Sequence, residues 1–439
     1  MCCFSAGSSW FVLHSKGVTD PGEDVVIKQC IAIGLGVCLA GVAQAGGYRV
    51  ALQGQKALGM GHTGVAMTDS AETIFFNPGA ITQLEAEMDI VGGITLLQGS
   101  TLYRNDETGS TVETDNPLGT PINAYLAQKL SQDLSWGLGI YTPYGNKVEW
   151  PTDWAGSHLV NFIELQAIYI QPTIGYQLTE STSIGFGPTL VLGSVEFNRN
   201  LSTSLRDANG RSNVTIEAQN VTAWGYNIGL LHEINERTRF GVSYRSEVIV
   251  EARGEEATFD NIPASLPGQY DNVTFDADLP LPAELTLGVA YDYSDKLTLA
   301  FDVNRTFWDV YDELVIEFDN GVTSTNPRNY EDSSIVRFGA QYRYDEKLTL
   351  RAGIYFDESP VPDGAFAPET PRNDAIGYTA GVTYHASKNL ELDVAVLILT
   401  FDETTNSYDF YEENGQLVPF GGTYDSAANS IGFGLTYKY

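Results

Sequence analysis

The sequence predicts an all-β fold, a 14-stranded antiparallel β-barrel that spans a membrane. After residue 45, apolar and polar residues alternate with a period of two over roughly 9–16 residues, longer than the strands of soluble sheets. Short polar turns alternate with long acidic loops, as in membrane barrels. Tyrosines on the apolar face precede the short turns, where amphipathic rings prefer a membrane interface. These are Tyr176, Tyr293, Tyr344 and Tyr384.

Residues 1–45 have the pattern of a signal peptide. Lys28 is followed by an apolar run over 31–42 and by Ala-Gln-Ala at 43–45, a cleavage-site tripeptide. The run is shorter than the ~20 residues that a membrane-spanning helix needs. Residues 1–25 carry acidic groups where a signal peptide needs positive charge, so we predict that they are an upstream extension of the gene model.

Composition excludes several classes of protein. The 439 residues include 56 acidic and 24 basic side chains, a net charge of −32 that argues against nucleic-acid binding. A hydrophobic content of 43% is too high for a disordered chain. Cleavage after residue 45 would remove every cysteine, so we expect neither disulfides nor a thiol site in the mature chain. The four cysteines are Cys2, Cys3, Cys30 and Cys38.

Residues 86–439 contain the predicted barrel. One face of the strand at 283–293 carries Leu285 and Leu287, and the other carries Glu284 and Thr286. A soluble sandwich would show the same alternation, but the strand lengths and tyrosine positions favour a sheet between lipid and a polar lumen. The predicted strands are 86–104, 120–131, 134–142, 158–178, 183–198, 212–233, 238–252, 283–293, 296–308, 333–344, 347–357, 375–385, 390–401 and 428–439.

The final strand alternates to the last residue, Tyr439. It must close against the first strand, because an open sheet edge is not tolerated in lipid. Residues 46–85, which include the Gly-rich stretch 57–84, precede the first strand and have no place except the lumen. We therefore predict that residues 46–85 form a plug, or hatch, inside the barrel.

Three motifs resemble the FadL-type outer-membrane transporters of long-chain fatty acids and hydrocarbons. The first is Ile-Phe-Phe-Asn-Pro at 74–78, within the Gly-rich stretch, which is similar to the family's N-terminal plug motif. The second is Tyr-Thr-Pro-Tyr-Gly at 141–145 with Trp-Ala-Gly at 154–156, and the third is the Pro-rich stretch 359–373. Two departures are the order Gly-Ala after Asn77-Pro78 and Ser157 in place of the family's usual arginine.

The resemblance implies a 14-stranded barrel in the bacterial outer membrane, with a hatch in its lumen. Movement of the hatch would let a long-chain fatty acid or another hydrophobic molecule pass. The ligand would then leave laterally through the barrel wall into lipid. Aromatic or alkane hydrocarbon uptake by the same fold is an alternative, and a general porin or a surface adhesin is another. The implied partners are the hydrophobic ligand, membrane lipid and lipopolysaccharide, and the barrel-assembly machinery through Tyr439. We expect a monomer.

The candidate ligand or gate residues of the hatch are Phe75, Phe76, Asn77, Pro78 and Gly79. The two phenylalanines either face the ligand or anchor the hatch to the barrel wall, and the usual burial of apolar residues favours anchoring. The Asn-Pro pair is expected to be a structural turn.

Four arginines fall on the lumen-facing parity of the predicted strands: Arg245, Arg337, Arg343 and Arg351. They are candidates for binding a fatty acid carboxylate, because guanidinium groups pair with carboxylates through charge-assisted hydrogen bonds. The alternative, which we favour, is salt bridging with lumenal acids on the same parity. Those acids are Glu284, Asp292 and Asp302.

We predict no enzymatic activity, no cofactor and no metal site. The histidines beyond residue 45 lie outside any nucleophile-elbow context, and no cluster has the spacing of metal ligands. They are His62, His158, His232 and His385.

Overall fold

A computed structural model of the chain describes residues 47–152, 154–266, 268, 270–413 and 415–439. The predicted signal peptide lies outside the described residues. In the described part of the chain, no helix has the length and apolarity to cross a membrane. Its helices are short: α1 Gln55–Leu58, α2 Thr73–Phe76, and the 3₁₀ helices Pro78–Gln83 and Trp308–Val310.

Most of the described residues lie in antiparallel strands. In chain order they are β1 Met88–Arg104, β2 Thr111–Glu113, β3 Ile122–Lys129, β4 Leu134–Glu149, β5 Phe162–Thr179, β6 Thr182–Asn200, β7 Asn213–Asn235, β8 Thr238–Arg245, β9 Val248–Asp260, β10 Val273–Leu281, β11 Glu284–Ser294, β12 Leu297–Thr306, β13 Glu313–Phe318, β14 Thr323–Pro327, β15 Ser333–Arg343, β16 Leu348–Asp357, β17 Ala375–His385, β18 Leu390–Phe401, β19 Thr404–Tyr408, β20 Glu412–Glu413, β21 Gln416–Leu417 and β22 Phe420–Lys438.

Fourteen of these strands close into a ring, which confirms the predicted fold class. Each pairs antiparallel with the next, in the order β1, β3, β4, β5, β6, β7, β8, β11, β12, β15, β16, β17, β18 and β22. The last strand returns to the first, with Lys438 opposite Asp89 and Thr423 opposite Arg104. Closure pairs the backbone groups that lipid would leave unsatisfied.

The two faces of the barrel meet different surroundings. Inward positions carry buried polar side chains such as Asp302 and Thr383, whereas outward positions carry exposed apolar ones. So many exposed apolar residues would be a liability in water, and they suit contact with lipid. Examples spread around the ring are Ile94, Ile228, Leu299, Phe338, Val396 and Phe433.

The structure corrects the prediction at the end with long connections, which we call the outer end. Residues 238–252 are not one strand, because β8 ends at Arg245 and Ser246 instead bonds to the backbone of Tyr226. The predicted loops contain strands, and β9, β10, β13 and β14 extend the sheet beyond the ring. The many acidic residues of these strands face water and obscure the alternation of apolar and polar residues in the sequence. The buried side of the alternation includes Val273 and Phe275 in β10.

Residues 48–84 pack against inward-facing residues of the barrel. The backbone N–H of Gly61 donates to Thr379 Oγ1 at 2.7 Å in β17. A Cβ on Gly229 in β7 would lie 2.1 Å from Asn77 Oδ1 and 2.7 Å from Pro78 Cδ. Only glycine therefore allows this approach of the two backbones.

We predict that Gly229→Ala loosens the N-terminal segment without opening the barrel. The added methyl group overlaps Asn77 and Pro78, and overpacking of this kind costs about 1–3 kcal/mol. Hydrogen exchange in detergent should then be faster at the amides of residues 73–80. The control is Gly92→Ala, whose Cβ would meet no atom within 4 Å. Equal exchange in both variants would contradict the packing described here.

Candidate ligand pathway

An apolar cavity opens toward the outer end of the barrel, and we call it the outer cavity. It encloses about 1270 Å³ of space, part of it open to solvent. Its walls come from the outer halves of β5, β6 and β7 and from the additional strands β9, β10 and β13. Buried apolar side chains dominate the lining, which suits a long hydrophobic molecule. They include Leu165, Ile216, Ala252, Phe275, Leu281 and Ile316.

Positive charge collects at one wall of the outer cavity. Arg328 pairs with Glu369, and both side chains are about nine-tenths buried. Arg199 also lines the cavity, and its Nη2 donates to Ser324 Oγ at 3.0 Å. Among the described residues, no carboxylate lies within ion-pair distance of Arg199. Two guanidinium groups and one carboxylate thus leave one positive charge beside an apolar space.

The barrel wall has a break beside β4. Strand β3 pairs with β4 only from Lys129–Ser135 to Asn123–Tyr141, although β4 continues to Glu149. The chain at 114–121 instead follows β1, with Thr95 N bonded to Pro121 O and Leu97 paired with Gly119. Pro117 and Pro121 have no backbone N–H to donate, so this stretch cannot continue a regular ladder to β4.

Residues 47–53, which we call the bridging segment, lie in this break. Val50 N donates to Pro143 O at 2.8 Å, and Gly145 N donates to Tyr48 O at 3.0 Å. Gln53 Nε2 also donates to Thr142 O, at 2.7 Å. The bridging segment therefore satisfies β4 backbone groups that β3 leaves unpaired.

The bridging segment also separates two cavities. Tyr48 is buried at the edge of the outer cavity, with its ring 4.8 Å from Trp308 and 5.6 Å from Tyr311. A second cavity, the window cavity, lies beside the break and encloses about 1570 Å³, part of it open. Gly47, Arg49 and Val50 line it. Asn146, Leu165 and Gln166 line both cavities, so the two are adjacent.

The five residues predicted for the hatch site are brought together, and they contact both the barrel wall and other parts of the N-terminal segment. Phe75 and Phe76 are buried; the Phe75 ring lies 4.1 Å from the Arg245 guanidinium and 5.0 Å from the Tyr141 ring. Asn77 Nδ2 donates to Val65 O at 2.7 Å and to Leu230 O at 2.9 Å. Pro78 begins a 3₁₀ helix, and Gly79 O accepts from Ser183 Oγ at 2.8 Å.

The four predicted arginines do not form one site. Arg245 donates to Phe75 O at 2.9 Å and lies 3.7 Å from Glu284. Arg337 is buried and lines the same small cavity as Arg245. Arg351 belongs to a separate ion network near the short turns, 3.8 Å from Asp69 and 3.9 Å from Asp393. Arg343 ends β15 and is exposed.

The network near the short turns ties the N-terminal segment to β16, β18 and β22. Lys56 Nζ lies 2.5 Å from Glu391 Oε2, and Lys438 Nζ lies 3.1 Å from Glu391 Oε1. Glu72 accepts from the backbone N–H of Lys56 and Ala57 at the start of α1. Burial, opposed by the charge of Lys56, raises the pKa of Glu72 to about 7.

His62 lies in the N-terminal segment next to the arginines. Its Nε2 accepts from Gln53 N at 3.3 Å. Burial, followed by the charges of Arg337, Arg49 and Arg245, holds the pKa of His62 well below its usual value, so the ring is neutral. Its left-handed backbone, with φ of 60°, fits the tight turn after α1.

Sequence reasoning missed the residues that line the outer cavity and the break. Arg199 lies in β6 and Arg328 directly follows β14, and only folding places them on one wall. Pro117 and Pro121 were a usable signal, because two prolines within five residues cannot form a central strand.

The chain is similar to known transport proteins. The profile of a family described as Outer membrane protein transport protein (OMPP1/FadL/TodX) matches residues 36–439. The Long-chain fatty acid transport protein of Escherichia coli (strain K12) is 24% identical over 408 residues, which cover 84% of this chain and 91% of that protein.

Solved structures share the fold. A Pseudomonas aeruginosa FadL homologue superposes with a TM-score of 0.81 at 16% identity, covering 89% of this chain and 99% of that one. The P. putida toluene transporter TodX gives a TM-score of 0.68 at 17% identity, covering 87% and 97%.

We predict that Asn77→Ala releases the N-terminal segment from β7. The change leaves the carbonyls of Val65 and Leu230 without their donor, and an unsatisfied buried polar group costs about 1–3 kcal/mol. Limited proteolysis of the folded barrel should then cut within residues 60–85. Asn209→Ala is the matched control, because that asparagine is exposed and its side chain bonds only within its own turn. Identical cleavage of both variants would show that Asn77 is not an anchor.

Proposed function

The chain belongs to the outer membrane protein transport protein family (OMPP1/FadL/TodX), a family of outer-membrane channels for hydrophobic molecules, and we propose that it carries long-chain fatty acids passively. The ligand enters the outer cavity from outside the cell. It passes the bridging segment, leaves through the break beside β4, and reaches membrane lipid directly. Residues 47–85 act as the hatch of this route.

The observation that carries the choice of ligand is the unpaired positive charge of the outer cavity. Arg199 and Arg328 face an apolar space of about 1270 Å³ with Glu369 as their acidic neighbour. A fatty acid supplies the missing carboxylate, whose bonds to guanidinium are charge-assisted. Its alkyl chain gains about 0.8 kcal/mol for each CH₂ buried against the apolar walls. A hydrocarbon such as toluene has no carboxylate to pair with Arg199 and Arg328.

A lateral exit is supported by the position of the window cavity. The cavity adjoins the outer cavity and lies at the break where β3 and β4 are unpaired. Its lining includes the inward apolar side chains Leu397 and Leu399 of β18 and Leu97 of β1. An apolar ligand can move from these walls into lipid without exposing apolar surface to water, whereas an aqueous lumen would expose it at a cost in free energy.

The bridging segment is the element that must move. Backbone hydrogen bonds to β4 hold residues 48–50 in place, and their loss would join the two cavities. The rest of the N-terminal segment is fixed by Asn77, Arg245 and the Lys56 network. The proposed motion is therefore local, with residues 54–85 remaining seated.

We predict that Arg199→Met lowers the affinity for oleate roughly 10- to 100-fold, because a hydrogen bond to a charged group contributes about 1.5–3 kcal/mol. Affinity for oleyl alcohol, which has no carboxylate, should change little. Equilibrium dialysis with the purified protein measures both. The control is Arg253→Met, an exposed arginine whose partner is Asp278. If wild type binds the alcohol as tightly as oleate and Arg199→Met changes neither, the hydrocarbon alternative is favoured.

We predict that a disulfide between Arg49→Cys and Tyr144→Cys blocks uptake. The two residues face each other in an antiparallel bridge, at a spacing that disulfides tolerate. No cysteine occurs after residue 38, so the pair has no competitor in the barrel. Oxidised cells should take up less oleate than the same cells after reduction, and because both states lack Arg49 and Tyr144, the variant is its own control. Uptake that is equal in both states would show that the bridging segment does not gate transport.

A further inference from the structure

A small polar cavity lies between the N-terminal segment and the barrel wall, and we call it the arginine cavity. It encloses about 460 Å³, part of it open, and is separate from the outer cavity. Arg49 of the bridging segment, Arg245 of β8 and Arg337 of β15 all line it. Arg245 and Arg337 are 5% and 4% exposed, and the side chain of Arg49 is 6% exposed.

Each of the three arginines has a buried nitrogen without a hydrogen-bond partner. The atoms are Arg245 Nε, Arg337 Nε and Arg49 Nη2, the last of which forms an ion pair with Asp357 Oδ2 at 3.6 Å, beyond hydrogen-bond distance. Buried donors of this kind are rare in folded proteins and call for a bound water or ion. Three of them on one cavity make it a donor-rich site with too few acceptors.

The acidic groups nearby are already engaged. Glu284 lies 3.5 Å from Arg49 and 3.7 Å from Arg245, and it also accepts from Tyr144 and Asn304. Asp302 Oδ2 accepts from the backbone N–H of Gly64 and Val65. Asp357 approaches Arg49 from the window side at 3.6 Å. The neutral ring of His62 adds no charge to the site.

We propose that the arginine cavity is an anion site that takes the carboxylate of the ligand after it leaves the outer cavity. The inference rests on the proposed function. Arg49 and Val50 line both the arginine cavity and the window cavity, so the two cavities are adjacent at the bridging segment. The alkyl chain then lies along the window while the head group reaches Arg337 and Arg49.

Occupancy of this site also acts on the bridging segment. Arg49 Nη1 is 3.3 Å from Asn304 Oδ1, and both of its ion pairs are 3.5 Å or longer. An incoming carboxylate competes with Glu284 and Asp357 for this guanidinium. Arg49 therefore couples the presence of a carboxylate to the contacts that hold residues 48–50.

Bromide and oleate test the site in the folded wild-type protein. Crystals soaked in sodium bromide should show an anomalous peak beside Arg337 Nε, and oleate should displace it. Bromide in solution should also weaken oleate binding and leave oleyl alcohol binding unchanged. A cavity that holds water alone, with no bromide peak, would overturn the proposal.

The variant Arg337→Met gives a second test of the site. It should weaken oleate binding about tenfold or more, with oleyl alcohol unchanged. The control is Arg343→Met, on the same strand but exposed. Oleate affinity equal in the two variants overturns the proposal; if Arg337→Met does not fold, the bromide peak decides.

Arg199→Met is measured in parallel. A loss of oleate affinity there, with none in Arg337→Met, means that the proposed function stands and this inference fails. If wild type does not bind oleate, the proposed function itself fails.

Discussion

The structure depends on the missing ladder between β3 and the outer half of β4. Pro117 and Pro121 have no backbone N–H, so residues 114–121, which run alongside β1, cannot pair regularly with β4. The edge of β4 therefore needs another partner. Unpaired backbone groups cost several kcal/mol in lipid, so the edge cannot be left bare. Residues 48–50 supply the partner through two backbone hydrogen bonds. By pairing with β4 in place of β3, residues 48–50 close the wall and place the start of the described chain where the two cavities meet.

The N-terminal segment is held with very different strength along its length. Residues 54–85 contact the wall through buried side chains, including Asn77 on Leu230, the Phe75 ring on Arg245, and the Lys56–Glu391 pair. Residues 47–53 are held by hydrogen bonds to β4, by Tyr48 among aromatic rings, and by Arg49, whose ion pairs with Glu284 and Asp357 are 3.5 Å or longer. Local opening follows the weakest contacts first. A barrel can therefore open a route for an apolar molecule while the remainder of its lumen stays filled.

Strand alternation made the barrel predictable, because lipid and a polar lumen impose opposite demands on successive residues. Arg245, Arg337 and Arg351 are buried on the inward side as their parity indicated. The same pattern failed at the outer end, where water replaces lipid and charged residues cover the outer side of β9 and β10. Arg199 and Arg328 are 129 residues apart along the chain, and no local pattern shows that they line the same cavity.

The central claim is that the ligand leaves through the break beside β4. A photoactivatable fatty acid that carries a diazirine and an alkyne tests it directly in cells, with labelled peptides mapped by mass spectrometry. We expect label on Leu97 and Leu118, which line the window cavity and not the outer cavity. The opposite wall, represented by the outward-facing Phe301 of β12 and Phe338 of β15, should carry only the background that lipid-dissolved probe gives. Label at the short-turn end of the lumen around Thr82, with none at the window, would contradict the lateral route.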